Sequence, residues 1–361
     1  MAVGNAAAAV TWWQSYMPGG SNPWYKAWLP GGGYVSLPRG GSVSLPAGAT
    51  APSTPSTPSS LGGQTFSGTY TGAAGSLDYS GYVPSSYQAG TAVPLVVSLH
   101  GCTQSAADFD KLTAWDHLAE AKGFIVVFPQ QSSSNSQYKC WNFFQSADMK
   151  RDSGEPALIA GITQWVQQHY SVDPHRTYVD GLSAGGAMSS VMAATYPDLY
   201  AAAGIGSGCE YAAGAACAGY KGIDPNQAGQ QAYAAMGSHA RPMPVVVFHG
   251  DQDQIVPPEN AKQVVQQWQV TNSMASGGGA ASASIGTSFP AKVTREQVPN
   301  GHTYSVSTYQ DGNRAEMIQS WLVNGMGHAW SGGCGCAQYS DPGGPDETAA
   351  MYAFFSNHPM P

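Results

Sequence analysis

Apolar runs of strand length alternate with stretches of helical periodicity over most of the chain. A continuous apolar run of this length is typical of a parallel strand that is buried on both faces. The strand-like runs are 93–100, 123–130, 176–182, 201–208 and 243–250, and the helix-like stretches are 105–121, 155–170, 258–270 and 346–357. This alternation predicts an α/β fold with a mostly parallel central sheet and helices on both faces.

Other patterns extend the sheet earlier and later in the chain. Residues 65–72 and 76–84 alternate apolar and polar positions, which predicts two antiparallel strands. A Gly-, Ala- and Ser-rich stretch at 275–286 predicts a surface loop, and a last antiparallel pair is predicted near 303–323. We therefore assign residues 64–361 to one α/β domain.

The residues before this domain have a different composition. Residues 1–49 carry Trp and Tyr among Gly and Pro without a clear period, and residues 50–63 form a Pro-, Ser- and Thr-rich linker. The aromatic residues either stack on a polymer or pack on the main domain. The amino terminus lacks the basic and apolar regions of a signal peptide. We expect a secreted protein from which the signal was removed, the alternative being a protein that is not exported.

The composition excludes several classes of function. Only 10% of the residues are charged, the net charge is −8, and Lys and Arg together number 14. Because binding of nucleic acid requires neutralised phosphates, that partner is disfavoured. No apolar stretch reaches the roughly 18 residues of a membrane span. No Gly-rich phosphate loop ending in Lys and Ser or Thr is present. We therefore expect neither a nucleic-acid nor a membrane partner.

The six cysteines indicate disulfide bonds. An even number of cysteines in a chain poor in lysine is typical of an exported, oxidised protein. No further Cys or His pair completes a zinc pattern, so we expect no metal site. A bond between Cys334 and Cys336 would close a very short loop and is the weakest pairing. The predicted pairs are Cys102 with Cys140 and Cys209 with Cys217.

A G-x-S-x-G pattern at 181–185 carries the strongest chemical signal. It lies between a predicted strand and a predicted helix, and in that context a sharp turn exposes the serine above the carboxyl edge of the sheet. Glycines are needed because larger residues would clash in so tight a turn. The start of the helix adds N–H groups and a positive dipole end. Ser183 is therefore the candidate nucleophile.

A serine nucleophile requires a histidine base that is oriented by a carboxylate. In an α/β-hydrolase the acid and then the histidine follow the serine along the chain. Two aspartates follow the predicted strand 243–250, and we assign Asp253 as the acid and Asp251 to turn formation. The candidate base is His328, which lies in a Gly-flanked loop late in the chain. Together with Ser183, these residues form the predicted triad.

The other histidines are weaker candidates for the catalytic base. His302 and His358 are rivals of the candidate base, but they lie further from a predicted strand end. His100 and His249 each precede a glycine at a strand end, and we predict that they hold loops in place.

Acyl transfer also requires N–H donors for the developing oxyanion. One donor should be the residue after the nucleophile, Ala184, and the second should come from the loop after an early strand. Residues 100–104 occupy that position, which makes the Cys102 N–H the candidate. A bond between Cys102 and Cys140 would stiffen this loop and hold Trp141 and Asn142 near the cleft.

Several motifs, taken in order, resemble the catalytic domain of the polyhydroxyalkanoate (PHB) depolymerase family of esterases over about residues 65–358. This family overlaps in fold and motifs with the feruloyl and acetylxylan esterases of carbohydrate esterase family 1. The resemblance implies an α/β-hydrolase fold, the triad Ser183, Asp253 and His328, and Cys102 and Ala184 as oxyanion donors. The matching stretches are 99–104, 140–144, 181–186, 249–253, 327–333 and 341–346.

The resemblance implies a secreted serine esterase acting on a PHB-type polyester or its oligomers. The alternative is a feruloyl or acetylxylan esterase, and a binding protein without activity is disfavoured because the triad is complete. Trp141, Asn142 and Trp330 are candidate substrate contacts, although core packing is an equal alternative for the two indoles. No metal or organic cofactor is expected, and we expect a monomer.

Overall fold

The computed structural model describes two short strands near the amino terminus and most of the chain after residue 60. The described residues are the strand backbones Trp24–Trp28 (β1) and Tyr34–Pro38 (β2) and the ranges 61–219, 223–277 and 289–361. β1 and β2 pair antiparallel. The chain divides into two compact units, 1–61 and 62–361. The side chains of the aromatic segment, most of the predicted linker and most of the predicted loop 275–286 lie outside the described residues.

One sheet of ten strands forms the body of the second unit. The strands are β3 (Gln64–Gly72), β4 (Gly75–Val83), β5 (Val93–Leu99), β6 (Ile125–Gln130), β7 (Val172–Gly181), β8 (Ala202–Gly206), β9 (Val245–Gly250), β10 (Lys292–Gln297), β11 (Thr303–Gln310) and β12 (Glu316–Val323). Their order is β10-β11-β12-β9-β8-β7-β5-β6-β4-β3. The six central strands, β12 to β6 in this order, are parallel, and an antiparallel pair extends the sheet on each side. A separate two-residue parallel pair joins β13 (Trp330–Ser331) to β14 (Ser340–Asp341).

The helices form two groups that pack on the sheet. The α-helices are α1 (Ala106–Thr113), α2 (Trp115–Lys122), α3 (Gly154–His169), α4 (Ala184–Thr195), α5 (Pro225–Met236), α6 (Glu259–Ala275) and α7 (Glu347–Ser356), and short 3₁₀ turns occupy Ser146–Met149, Gly214–Ala218 and Gly237–His239. In one group α2 contacts α1 and α7, and in the other α3 to α6 contact one another in sequence. The α/β fold with a mostly parallel sheet and helices on both faces is confirmed.

The helix predicted over 105–121 is in fact two helices. Ala114 adopts a left-handed conformation with φ +54° between α1 and α2, and its N–H caps α1 by donating to the Asp110 carbonyl oxygen. The start of α1 has a capping box between Ser105 and Asp108. Periodicity alone could not show the break, because an alanine carries no turn signal.

Two carboxyl groups lie buried near the middle of the sheet. Asp180 on β7 and Glu347 at the start of α7 are both fully buried. Neither oxygen of Asp180 has a well-formed hydrogen bond to a described residue. Burial raises the pKa of Asp180 to about 8, although the nearby Ser98 hydroxyl and Trp115 indole N–H lower it in part. Burial also raises the pKa of Glu347 well above its usual value. The folded protein therefore holds protons here that the unfolded chain releases.

This difference predicts that the protein loses stability as the pH rises. An unfolded aspartate titrates near pH 4. The stabilisation linked to the Asp180 proton is therefore fully present below about pH 4 and is lost as the pH rises through about 8. We expect the unfolding free energy of the wild type, relative to that of Asp180→Asn, to fall by about 4 kcal/mol between about pH 5 and pH 9. Urea unfolding of both proteins measures this, and a constant difference would contradict it.

Candidate active site

Ser183 lies at a sharp turn between the end of β7 and the start of α4. Its backbone has φ +60° and ψ −118°, a conformation that costs energy in a residue other than glycine. The turn requires glycine on both sides: a Cβ on Gly185 would lie 2.0 Å from the Leu99 carbonyl oxygen, and one on Gly181 would lie 2.5 Å from the Gly185 carbonyl carbon. The Ser183 N–H donates to the Gly206 carbonyl oxygen at 2.8 Å. The turn is thus fixed against the neighbouring strand β8.

Asp253 and His328 form a hydrogen-bonded pair at the same edge of the sheet. The Nδ1–H of His328 donates to Asp253 Oδ2 at 2.7 Å, and both side chains are buried. An ionised carboxylate can only accept, so the hydrogen lies on Nδ1 and the Nε2 lone pair is available to take a proton. Because β7, β9 and β12 are parallel, the loops that follow them meet at one edge. Trp330, two residues after His328, packs against Gly206, which is bonded to the Ser183 N–H.

The loop after β9 holds the Asp253 carboxylate in place. Its Oδ1 accepts from the N–H groups of Ile255 and Val256, both at 2.9 Å. Burial by itself raises the pKa of Asp253, but His328 and His249 together outweigh burial and hold that pKa below its usual range. The carboxylate therefore stays ionised and is able to stabilise a positive charge on His328.

Asp251 makes contacts that differ from those of Asp253. Its Oδ1 accepts from the Gly325 N–H at 2.7 Å, and its own N–H donates to the Val323 carbonyl oxygen at 3.0 Å. These bonds tie the loop after β9 to the loop that carries His328. Asp251 therefore positions the histidine loop without touching the imidazole.

The remaining candidate histidines make structural contacts. His358 lies between the carbonyl oxygens of Phe354 and Glu316, both at 2.7 Å. His302 pairs with the Asp341 carboxylate at 3.1 Å. Neither contact involves Ser183 or Asp253.

The two histidines that precede a glycine hold strand ends. His100 Nε2 accepts from the Gln131 N–H at 3.0 Å, and its Nδ1 lies 2.7 Å from the Gly101 carbonyl oxygen. His249 Nε2 lies 2.8 Å from the Val256 carbonyl oxygen and 3.4 Å from Asp253 Oδ2. His249 therefore fixes the loop that carries Asp253; the sequence predicted that it holds a loop in place but not this partner.

The loop after β5 contains the candidate for the second oxyanion donor. Within this loop Gly101 N–H donates to Gln104 Oε1, Thr103 N–H to the Tyr138 carbonyl oxygen and Gln104 N–H to the Gly101 carbonyl oxygen. Among the described residues, the Cys102 N–H has no acceptor in the protein. Ala184 is the first residue of α4, so its N–H has no acceptor within the helix. Both N–H groups are therefore available to a ligand.

Three disulfide bonds join the six cysteines. The pairs are Cys102 with Cys140, Cys209 with Cys217, and Cys334 with Cys336. The first two are the predicted pairs. The third forms as well, although its very short loop made it the weakest expectation.

The first of these bonds should matter for catalysis because it is part of the loop that offers the Cys102 N–H. Loss of one oxyanion donor costs about 10²- to 10³-fold in rate. Replacing Cys102 and Cys140 with alanine loosens the loop and keeps the N–H, so we expect kcat to fall by about 10-fold at little change in KM. The matched control replaces Cys209 and Cys217 and should keep kcat. Equal losses in both variants would contradict a specific effect on the oxyanion loop.

Two of the three predicted substrate contacts cannot offer a face to a substrate. Trp141 and Trp330 are 0% exposed. Trp141 Nε1–H donates to the His100 carbonyl oxygen, and Trp330 Nε1–H donates to Thr348 Oγ1, both at 2.9 Å. Both indoles are therefore packed in the protein interior, as the packing alternative describes.

Asn142 is also buried, in a network around Glu155 that the sequence did not reveal. The carboxylate of Glu155 accepts from the Asn142 N–H at 2.7 Å and from its Nδ2 at 2.6 Å. Gln131 and Asn135 donate to the same carboxylate. Burial raises the pKa of Glu155 to about 7, although the hydrogen bonds oppose that rise. Asn142 thus anchors the segment after Cys140, and we predicted Glu155 only as part of a helix start.

No metal centre or membrane-crossing helix is visible in the described part of the chain. There, no group of three or more His, Cys, Asp or Glu side chains is placed to hold a metal ion. None of the helices in these ranges is both long and apolar enough to cross a membrane.

Comparison with known proteins places this chain in a family. Residues 77–289 match the model of the family described as "Esterase PHB depolymerase", which covers more than half of the chain. The chain therefore belongs to the esterase PHB depolymerase family, as the motifs predicted. It is 33% identical over 262 residues to "Poly(3-hydroxyalkanoate) depolymerase C" of Paucimonas lemoignei, covering 70% of this chain but only 58% of that relative.

Acetylxylan esterases are also similar to this chain. "Acetylxylan esterase A" of Emericella nidulans is 31% identical over 201 residues, covering 52% of this chain and 64% of the relative. The solved structure "Acetyl xylan esterase from Aspergillus awamori" has a TM-score of 0.62 at 23% identity, covering 82% of this chain and all of that one. This likeness supports the α/β fold. The chain spans less than two thirds of either of these two sequence relatives.

Proposed function

We propose that the protein is a serine esterase that works through an acyl-enzyme. The observation that carries the proposal is the 2.7 Å bond from His328 to the buried Asp253, at the sheet edge where the strained turn presents Ser183. Ser183 Oγ attacks the ester carbonyl carbon, and His328 Nε2 takes the hydroxyl proton. The carbonyl electrons move onto oxygen, and that oxyanion accepts from the N–H groups of Cys102 and Ala184.

The second half of the cycle repeats the same proton transfers. The oxyanion collapses, the bond to the alcohol oxygen breaks, and His328 delivers its proton to the leaving alcohol. Water then attacks the acyl-enzyme while His328 takes one of its protons, and the carboxylic acid leaves as Ser183 regains a proton. Asp253 keeps the hydrogen of the imidazole on Nδ1 throughout. The proposal needs no metal or organic cofactor.

The substrate we propose is a polyester of the 3-hydroxybutyrate type, or its oligomers. Membership of the esterase PHB depolymerase family supports this, as does the relative named a poly(3-hydroxyalkanoate) depolymerase. Three disulfide bonds support a secreted protein. We further propose that it acts as a monomer on the polymer.

A second candidate is hydrolysis of acetyl or feruloyl esters on plant cell-wall polysaccharides. The acetylxylan esterase relatives favour the acetyl ester of these two. A short acyl group and a sugar alcohol would then replace the hydroxyacyl chain at the same serine.

Hydrolysis of three substrates separates these candidates. A PHB suspension, acetylated xylan and methyl ferulate are each incubated with the full chain and with Ser183→Ala. We expect the wild type to clear the PHB suspension and the variant to leave it turbid. Activity on the xylan or ferulate ester alone would replace the polyester proposal with the second candidate. Hydrolysis that persists in the variant would overturn the serine mechanism.

A further inference from the structure

The segment 131–142, which follows β6, is bonded to the loop that carries the Cys102 N–H. The disulfide bond between Cys140 and Cys102 joins the two directly. One residue further along the loop, the Thr103 N–H donates to the Tyr138 carbonyl oxygen at 2.6 Å. Cys102 is therefore held to this segment by its own side chain and by the peptide group that follows it.

His100, two residues before Cys102, is held by both ends of the same segment. The Gln131 N–H donates to His100 Nε2 at 3.0 Å. The Trp141 indole N–H donates to the His100 carbonyl oxygen at 2.9 Å. The backbone is thus fixed on both sides of Cys102, and the direction of the Cys102 N–H depends on the conformation of segment 131–142.

The carboxylate of Glu155, near the start of α3, binds donors from the whole length of segment 131–142. Its Oε2 accepts from the Asn142 N–H at 2.7 Å, and its Oε1 accepts from Asn142 Nδ2 at 2.6 Å. Asn135 Nδ2 donates to Oε1 at 2.9 Å, and Gln131 Nε2 donates to the same oxygen. Because residues 131–142 contain no helix or strand, these bonds largely determine the path of the segment.

This arrangement requires an ionised carboxylate. All four hydrogen bonds come from N–H groups, so a hydrogen on either carboxyl oxygen would compete with a donor. Glu155, Gln131 and Asn142 are each at most 7% exposed, so water is poorly placed to replace a lost partner. Glu155 is the second residue of α3, and the positive end of the helix dipole favours its charge.

We infer that Glu155 is a positioning residue that orients the Cys102 N–H toward the oxyanion by holding segment 131–142. This inference rests on the proposed function. The N–H must lie within hydrogen-bonding distance of the oxyanion, and a displacement of about 1 Å can cost about 10²-fold in rate. Among the described residues, the Glu155 carboxylate has no hydrogen bond to Ser183 or His328. Its loss should therefore leave the nucleophile and the base in place.

Glu155→Gln tests this inference with a side chain of the same shape. It replaces one acceptor oxygen with an NH₂ group that faces N–H donors, so segment 131–142 must shift. The Cys102 N–H is displaced and not removed, so the loss should be smaller than the roughly 10²- to 10³-fold caused by losing one oxyanion donor. We expect kcat for p-nitrophenyl butyrate to fall by about 10- to 30-fold, with KM changed by less than about threefold.

An inhibitor that forms an oxyanion distinguishes positioning of the donor from a general loss of structure. Butyl trifluoromethyl ketone adds to the serine, and the oxygen of its tetrahedral adduct takes the place of the oxyanion. We expect its inhibition constant to rise in Glu155→Gln by about the factor by which kcat/KM falls. Rates are divided by the concentration of active sites, titrated with a fluorophosphonate. Burial raises the pKa of Glu155 to about 7, so all assays are made at about pH 8.5, where the wild-type carboxylate is ionised.

A milder variant tests the same network if Glu155→Gln does not fold. Asn135 is exposed, and Asn135→Ala removes one of the donors to Glu155 Oε1. We expect kcat to fall and the inhibition constant to rise by about threefold each, with the fold kept.

The matched control is Glu120→Gln, in a carboxylate network outside the candidate site. Glu120, on α2, accepts from the Tyr82 hydroxyl at 2.6 Å and from the Ser85 N–H at 2.8 Å, on and just after β4. The variant keeps an oxygen that can accept from these donors. It should keep the wild-type kcat and the wild-type inhibition constant.

Three results would overturn the inference. In the first, folded Glu155→Gln keeps both kcat per active site and the inhibition constant within about twofold of the wild type. In the second, its kcat falls but the inhibition constant does not change. In the third, Glu155→Gln does not fold and Asn135→Ala keeps both values. Failure of the wild type to label at Ser183 would instead overturn the proposed function.

Discussion

Replacing Ser183 with alanine is expected to lower kcat/KM for ester hydrolysis by about 10⁶-fold, because the variant has no oxygen to form the acyl-enzyme. The oxyanion donors and the substrate contacts remain, and they retain about 10³- to 10⁴-fold catalysis over the reaction in water. Alanine meets the same backbone strain at this turn as serine, because both carry a Cβ, and the bond from its N–H to Gly206 is kept. Initial rates with p-nitrophenyl butyrate measure the loss.

A serine close by on the same helix provides the control. Ser189 is buried in α4, and its hydroxyl donates only to the Gly185 carbonyl oxygen one turn earlier. Because such a bond contributes little to a helix, Ser189→Ala should keep wild-type kcat/KM. A comparable loss in both variants would show damage to α4 rather than loss of the nucleophile.

Replacing Asp253 with asparagine is expected to lower kcat by about 10⁴-fold while the fold is kept. The amide oxygen of asparagine can still accept from the N–H groups of Ile255 and Val256. Its NH₂ group would then face His328 Nδ1 and donate to it. The imidazole hydrogen would move to Nε2, and that nitrogen could no longer take the proton of Ser183.

The neighbouring aspartate tests whether the assignment within this loop is correct. In Asp251→Asn the amide oxygen can still accept from the Gly325 N–H, so the histidine loop stays in place. We expect kcat within about threefold of the wild type. If Asp251→Asn lost activity and Asp253→Asn kept it, the acid of the triad would be wrongly assigned. The comparison is made at saturating p-nitrophenyl butyrate with sites titrated.

Much of the sheet and of the site could be predicted because the signals are local in sequence. The central strands β5, β6, β8 and β9 are largely apolar runs, each of which ends in or is followed by glycine or a polar residue, and parallel strands bring those ends to one edge. Ser183 was identified by its flanking glycines, and the structure shows why: Gly185 approaches the carbonyl of Leu99 too closely for any side chain. The pairing of Asp253 with His328 followed from chain order and strand ends alone.

The features that the sequence did not predict have weak local patterns or depend on contacts between segments that are far apart in the sequence. Helix α5 and strand β10 were not predicted, because their patterns are weakly apolar and most residues of β10 are exposed. Trp141 and Trp330 are buried by segments that are distant from them in the sequence. Their positions next to motifs therefore did not show whether they face the cleft or the interior.

Covalent labelling tests the central claim most directly. The full chain is treated with a fluorophosphonate, digested, and the modified peptide is identified by mass spectrometry. The account predicts one adduct, on Ser183, that forms at least about 10³-fold more slowly in Asp253→Asn and is absent from Ser183→Ala. An adduct on another residue, or a folded wild-type protein that is not labelled, would contradict it.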